Sequence, residues 1–271
     1  SFSSYGPMDD GRIKPDIVAA GNPLYSTWHT CNTCYNAISG TSMSTPLVTG
    51  VGTVIVQDLM TKMNSDSSAE FPFRRIWTPM TPEGMKALLV QTADDVQGFQ
   101  QATVGPDYAS GWGIANAQSS ITLARKGGLT QGSISATGLG NAWSQAFDVI
   151  GTEPEIHMTL AWSDPAGNPN AAKALVNDLD LRLIDPNGTE HTPWILPGGM
   201  ADPTQPAVRN GGNDDINNVE QVSVLNPAAG RWTVRVTASD LDPTTVPQIF
   251  ALAGLLPDDP GRILSPIRLL P

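Results

Sequence analysis

The apolar residues of this chain change their repeat once, near Gly127-Gly128, and that change restricts the fold more than any other feature. Upstream, Met43, Leu47, Val51, Ile55 and Leu59 recur every four residues, the spacing of one helical face. Downstream the period is two. Ile156, Met158, Leu160 and Trp162 alternate with His157, Thr159 and Ala161; Leu179, Leu181 and Leu183 with Asp178, Asp180 and Arg182; Trp232, Val234 and Val236 with Thr233 and Arg235. Alternation broken by turns such as Asp185-Pro186-Asn187-Gly188 and Pro227-Ala228-Ala229-Gly230 predicts antiparallel strands in a sandwich or barrel. The expected division is a helix-bearing region over 1–128, a β region over 129–257 and a Pro-containing tail over 258–271.

Within the first region, residues 12–20 read as a short buried strand and residues 22–38 as a loop. The long helix that follows has Thr41 or Ser42 as its natural N-cap and Pro46 near its first turn. Gly50 and Gly52 cost helix stability and predict that this helix packs very closely against something. A second helix is expected after Thr81-Pro82-Glu83, and a third from about Ala115 to Lys126.

With 40% hydrophobic and 15% charged residues the chain can bury a large core. Its formal net charge of -11 excludes the phosphate-neutralising surface a nucleic-acid partner requires. No apolar run approaches the roughly 18 residues needed to span a bilayer. No signal peptide is visible. Cys31 and Cys34 are the only cysteines, and with His29 as the one further ligand nearby they read as a local disulfide or free thiols before a zinc site.

The chemistry concentrates at Ser39-Gly40-Thr41-Ser42-Met43-Ser44-Thr45-Pro46. A serine hydroxyl needs a base to take its proton and donors to hold the oxyanion. A helix start supplies the second, since its first N–H groups have no intrahelical partner. Taken alone, Gly-Thr-Ser reads sooner as an N-cap than as a nucleophile. The surrounding residues decide between the two. The octapeptide resembles the nucleophile motif of the subtilisin-like (subtilase) family. Phe2-Ser3-Ser4-Tyr5-Gly6-Pro7 and Asp10-Gly11-Arg12-Ile13-Lys14-Pro15-Asp16-Ile17-Val18-Ala19 resemble the stretch leading into it, and Gly111-Trp112-Gly113-Ile114-Ala115-Asn116-Ala117 the segment that closes the domain. Ala20 and Leu47 depart from the family pattern at positions peripheral to the chemistry.

The resemblance implies part of an α/β subtilisin-like catalytic domain, an acyl-enzyme formed on Ser42, and protein or peptide substrates. In that family the aspartate, the histidine and an oxyanion-binding asparagine precede the serine, and no stand-in is present. His29 lacks the Gly-rich surroundings of the family's histidine, while His157 and His191 fall in the β region. An N-terminal part of the same enzyme is therefore the expected partner, and the chain alone is expected to be nearly inert. The expected location is extracellular. Two rivals stay open: an inactive fragment or pseudo-enzyme whose β region binds or stabilises, and the related sedolisin class with a glutamate in place of the histidine.

Residues 129–257 resemble the jelly-roll-like β-sandwich of some subtilases, including the oxidatively stable alkaline type. The matching segments are Leu160-Ala161-Trp162-Ser163-Asp164-Pro165, Leu175-Val176-Asn177-Asp178-Leu179-Asp180-Leu181, Asn217-Asn218-Val219-Glu220 and Gly230-Arg231-Trp232-Thr233-Val234. Asp178 and Asp180 share one strand face and repel unless a cation separates them or solvent screens them. Ca²⁺ suits oxygen-only clusters, and the resemblance implies calcium here. The candidate ligands are Asp178, Asp180 and Asp164, with Glu220 as a further candidate.

Overall fold

A computed structural model describes residues 2–65, 80–96 and 104–254; the side chains of residues 62–65 are not described. The expected tail over 258–271 and most of the excursion over 64–80 lie outside the described residues. Two short strands, β1 (Leu24–Thr27) and β2 (Tyr35–Ile38), form an antiparallel hairpin with Leu24 opposite Ile38. Three helices follow: α1 (Thr41–Ser65), α2 (Pro82–Gln91) and α3 (Ala117–Arg125). The α2 start is fixed locally. Thr81 Oγ1 accepts the Gly84 N–H at 3.3 Å, and Pro82 occupies a position where its missing N–H costs nothing. Asn116 caps α3 in the same way, accepting from Ser119 N at 2.9 Å.

Residues 12–20 do not form a strand. Val18 makes one isolated parallel bridge to Ile114 and nothing more regular. A strand requires one neighbour along its length, and here the backbone bonds go to several short segments: Gly6 N and Met8 N donate to Lys14 O and Arg12 O, and the 111–115 stretch covers the rest. Asp16 O accepts from Trp112 N at 2.9 Å, and Val18 N donates to Gly113 O at 2.9 Å. Gly111 has φ +63, and a Cβ there would run into the backbone of Pro15 and Asp16, so this contact requires glycine. The described part of 1–128 thus carries helices and one antiparallel hairpin, with a single parallel bridge in place of a parallel sheet.

The β region begins at β3 (Leu129–Ile134), after the Gly127-Gly128 turn. It continues with β4 (Trp143–Val149), β5 (Glu155–Trp162), β6 (Asp178–Ile184), β7 (Glu190–His191), β8 (Val219–Leu225), β9 (Gly230–Asp240) and β10 (Gln248–Ala253). Two antiparallel four-stranded sheets result, ordered β3-β10-β5-β8 and β4-β9-β6-β7. The residues of period two enclose one core between them: Met158, Leu160 and Trp162 from one sheet meet Leu179, Leu181, Leu183, Trp232 and Val234 from the other.

A second core joins this region to the helices. Ala161, Val219, Ala251 and Ala253, on the outer face of the first sheet, pack with Ala87, Leu88 and Val90 of α2 and with Ile55 and Leu59 of α1. Small residues on the sheet let the helix approach closely, and α2 is buried along most of its length. Polar ties reinforce the contact. Gln91 Nε2 donates to His157 O at 3.0 Å, and Gln91 Oε1 accepts from Thr159 Oγ1 at 2.7 Å. Asn217 Oδ1 accepts from Ile13 N at 2.8 Å, and Lys86 Nζ donates to Asn218 Oδ1 at 3.1 Å.

Candidate active site

Ser42 is the second residue of α1 and is exposed. Gly40 is the residue before the helix, so the capping position falls one residue before Thr41 and two before Ser42. Met43 N turns back to Gly40 O at 3.0 Å, which shapes a tight first turn. The N–H groups of the first turn lack helical acceptors and give this end a partial positive charge. A hydroxyl placed there is positioned to attack a carbonyl whose oxygen is then held by the same donors.

The turn is fixed from behind by the start of the hairpin. Gly40 N donates to Gly21 O at 2.9 Å, and Ser39 Oγ donates to Asn22 Oδ1 at 2.5 Å. A Cβ on Gly21 would stand 2.8 Å from Gly40 O and would collide with Ser44 Oγ. Gly21 is therefore a positioning residue for the serine turn. Its contact with residue 40 could not be read from the sequence.

Helix α1 is less enclosed than its two glycines predict. Ile55 and Leu59 are buried, whereas Leu47 is 41% and Val54 47% exposed. A Cβ on Gly52 would meet Met85 Cε at 3.7 Å, but one on Gly50 would meet nothing within 4 Å. Leu47, near Ser42, thus presents an apolar side chain to solvent, as do Val54 and Met60 further along, while Val48 and Val51 pack against the core and Arg125 Nε of α3 donates to Asp58 Oδ2 at 2.8 Å.

The histidines have neighbours of their own. His29 packs on Trp28, with ring centroids 4.7 Å apart. His157 lies on β5, and its carbonyl accepts from Gln91. His191 stacks on Trp232, 5.5 Å between centroids. Cys31 and Cys34 form a disulfide that closes the end of the hairpin, as the bland reading of their spacing expects.

The expected metal ligands are not gathered into one cluster. Asp178 and Asp180 are buried on β6, so the solvated acidic face is excluded. Each has its own cation: Lys173 Nζ donates to Asp178 Oδ2 at 2.8 Å, and Arg182 Nη2 to Asp180 Oδ1 at 3.3 Å. Burial raises the Asp178 carboxyl, against the lowering pull of Lys173. Asp164 is occupied elsewhere, accepting from Val176 N and Asn177 N, both at 2.8 Å. Glu220 faces the interior and accepts from Leu181 N at 2.6 Å across the gap between the two sheets. Complete burial, followed by the nearby Asp214 carboxylate, pushes Glu220 well above its ordinary range. Among the described residues, no group of three or more His, Cys, Asp or Glu side chains is arranged to hold a metal ion. One oxygen of each of two carboxylates, Asp178 Oδ1 and Glu220 Oε1, is nevertheless buried without a hydrogen-bond partner.

Comparison with known proteins agrees with the residues around Ser42. Residues 1–113 match the subtilase family. The chain is 26% identical over 314 residues to the serine protease/ABC transporter B family protein tagB of Dictyostelium discoideum, an alignment covering 92% of this chain and 16% of that protein. It is 41% identical over 63 residues to the PII-type proteinase of Lactococcus lactis subsp. cremoris, covering 23% of this chain and 3% of the relative. It is 52% identical over 50 residues to the C5a peptidase of Streptococcus pyogenes serotype M18, covering 18% and 4%. The chain spans 16%, 14% and 15% of the length of three relatives that it matches over most of its own.

Proposed function

We propose, taking residues 1–113 as a subtilase-family segment, that this chain contributes the nucleophile Ser42 to a serine endopeptidase. The supporting observation is the geometry of residues 39–44: an exposed serine on the first turn of a long helix, with the turn pinned to Gly21 and Asn22. Ser42 Oγ attacks the peptide carbonyl and forms an acyl-enzyme, and the N–H groups at the helix start receive the oxyanion. A preceding part of the same enzyme supplies the base and its aspartate. The exposed Leu47, near Ser42 on α1, supports this, because it offers an apolar side chain for that part to cover. Substrates are proteins or peptides. The disulfide supports an oxidising, extracellular location. Among the described residues, no helix is long and apolar enough to cross a membrane.

The β region is proposed to be the jelly-roll-like accessory unit over 129–257. Its role is to hold α2 and the 13–18 segment in place through the shared core. The test of the whole reading is hydrolysis of an unfolded protein substrate by this chain joined to its preceding part. Ser42→Ala is expected to lower kcat by at least about 10⁴-fold with KM little changed. Activity surviving that substitution would favour the inactive-fragment alternative for this chain.

Calcium remains a proposal for the β region, supported by Asp178 Oδ1, a buried oxygen with no hydrogen-bond partner. Melting temperature is expected to rise with free calcium in the parent and not in a D178N/D180N variant. Equal melting temperatures in calcium and in chelator would remove the ion from the account.

A further inference from the structure

The turn between β6 and β7 carries a motif that neither the serine nor the two cores use. Asn187-Gly188-Thr189 is the only Asn-X-Ser/Thr triplet of the chain. Such a triplet is the acceptor sequence for an N-linked oligosaccharide, and so bulky a group is tolerated only where the asparagine faces solvent. Residues 186–190 are all exposed. The turn is also built without the help of the asparagine side chain. Asp185 Oδ1 accepts from Asn187 N and from Thr189 N, both at 2.8 Å, and Asp185 O accepts from Gly188 N at 3.0 Å. Asp185 N donates to Thr189 O at 2.9 Å and closes the loop. Asp185 thus supplies the acceptors for the three backbone donors of the triplet, and none of these bonds uses the Asn187 carboxamide. Gly188 has φ +85, and a Cβ built on it would meet nothing within 4 Å, so the space beside the asparagine is open.

The place of the turn gives a sugar something to do. Strand β7 has two residues and is the edge of the sheet ordered β4-β9-β6-β7. Its only ladder pairs are His191 with Leu183 and Glu190 with Ile184. Sheet edges need covering, and exposed loop tips are where proteases nick a folded chain. A part of an endopeptidase meets that hazard from its own kind.

We propose that Asn187 is the acceptor of an N-linked oligosaccharide that shields the β6–β7 turn from proteolysis. In the transfer, Asn187 Nδ2 forms a bond to the anomeric carbon of an oligosaccharide delivered on a lipid diphosphate. The bond from that carbon to the diphosphate oxygen breaks, the lipid diphosphate leaves with the electron pair, and a proton from Nδ2 passes to a base. The Thr189 hydroxyl completes the recognised triplet, a part that serine can take and alanine cannot. This rests on the extracellular reading, because the donor is met on the secretory route. The test uses this chain joined to its preceding part, in the S42A background so that only added protease cuts it. An added signal peptide routes it through a eukaryotic secretory pathway. Peptide-N-glycosidase in heavy-oxygen water, followed by peptide mapping, is expected to find labelled aspartate at position 187 in the routed parent and in T189S. N187Q and T189A are expected to lose the sugar's mass and to be cut faster within 185–190 by a protease of broad specificity. An unmodified Asn187 in the routed parent, or label surviving in T189A, overturns the acceptor. Sugar on Asn187 with equal cutting in the parent and N187Q overturns the shielding. A sugar in the routed parent but a bare Asn187 in protein taken from its source organism overturns the extracellular reading and leaves the acceptor standing.

Discussion

Glycine 21 shows how narrow the tolerance around the serine is. Its α-carbon lies so close to the turn that an added methyl would meet the Gly40 carbonyl and Ser44. The turn must move if Gly21 gains a side chain, and Ser42 moves with it. A displacement of about 1 Å from productive geometry costs on the order of 10²-fold in rate. Gly21→Ala is accordingly expected to lower kcat by about that factor in the joined enzyme, with the melting temperature of the β region little changed. Wild-type kcat in that variant would show that the turn is not held from this side. At this scale the sequence was informative about identity and silent about contact. Ser42, Gly40 and the cysteine pair are legible because their meaning is local. The bonds from residue 21 to 40 and from residue 13 to 217 join distant positions, and no spacing announces them.

At the scale of elements, period and caps carried the prediction. α2 starts after Thr81 and α3 after Asn116 because a side-chain oxygen is present to accept the first free N–H groups. Strands β5, β6 and β9 follow the alternation read in the sequence. The failures have a common physical cause. Residues 12–20 are read as a strand but bond to several short segments and not to one neighbouring strand, and the helical stripe of α1 is buried at Ile55 and Leu59 but exposed at Leu47. Local pattern specifies what an element can be, and neighbours decide whether it pairs or is buried. Glu220 is a third case. On β8 it shares the inward face with Val222 and bonds β6 across the core, a contact that its reading as a further candidate metal ligand did not contain. Its carboxyl is pushed up, chiefly by burial, and that of Asp214 is pushed up to about 6 by the same cause. A carboxyl whose folded value exceeds its unfolded value takes up protons on folding. Its cost is absent at low pH and grows as pH rises from the ordinary carboxylate range through the folded value. Glu220→Gln keeps an acceptor for Leu181 N and removes the titration. Its stability relative to the parent is expected to match near pH 4 and to improve by up to about 1.4 kcal/mol per pH unit above that. Parallel stability curves for the two proteins between pH 4 and 8 would contradict the buried, raised carboxyl.

Across the whole molecule, the change of period near residue 128 marks a change of architecture without a gap in packing. The β region presents a small-residue face to α2, and Asn217, Asn218 and Gln91 bond across the join. The sequence showed two patterns; that they share a core depends on which outer sheet face meets which helix. On α1, Ile55 and Leu59 are buried in that core, whereas Ser42 and Leu47 near the helix start are exposed. That asymmetry is the basis of the central claim, that Ser42 is a nucleophile whose base comes from a preceding part of the enzyme. Fluorophosphonate labelling followed by mapping of the modified peptide tests it most directly. The account predicts label on Ser42 when the preceding part is bound and almost none on the isolated 271-residue chain. Strong labelling of the isolated chain, or label on any residue other than Ser42 in the complex, would contradict it.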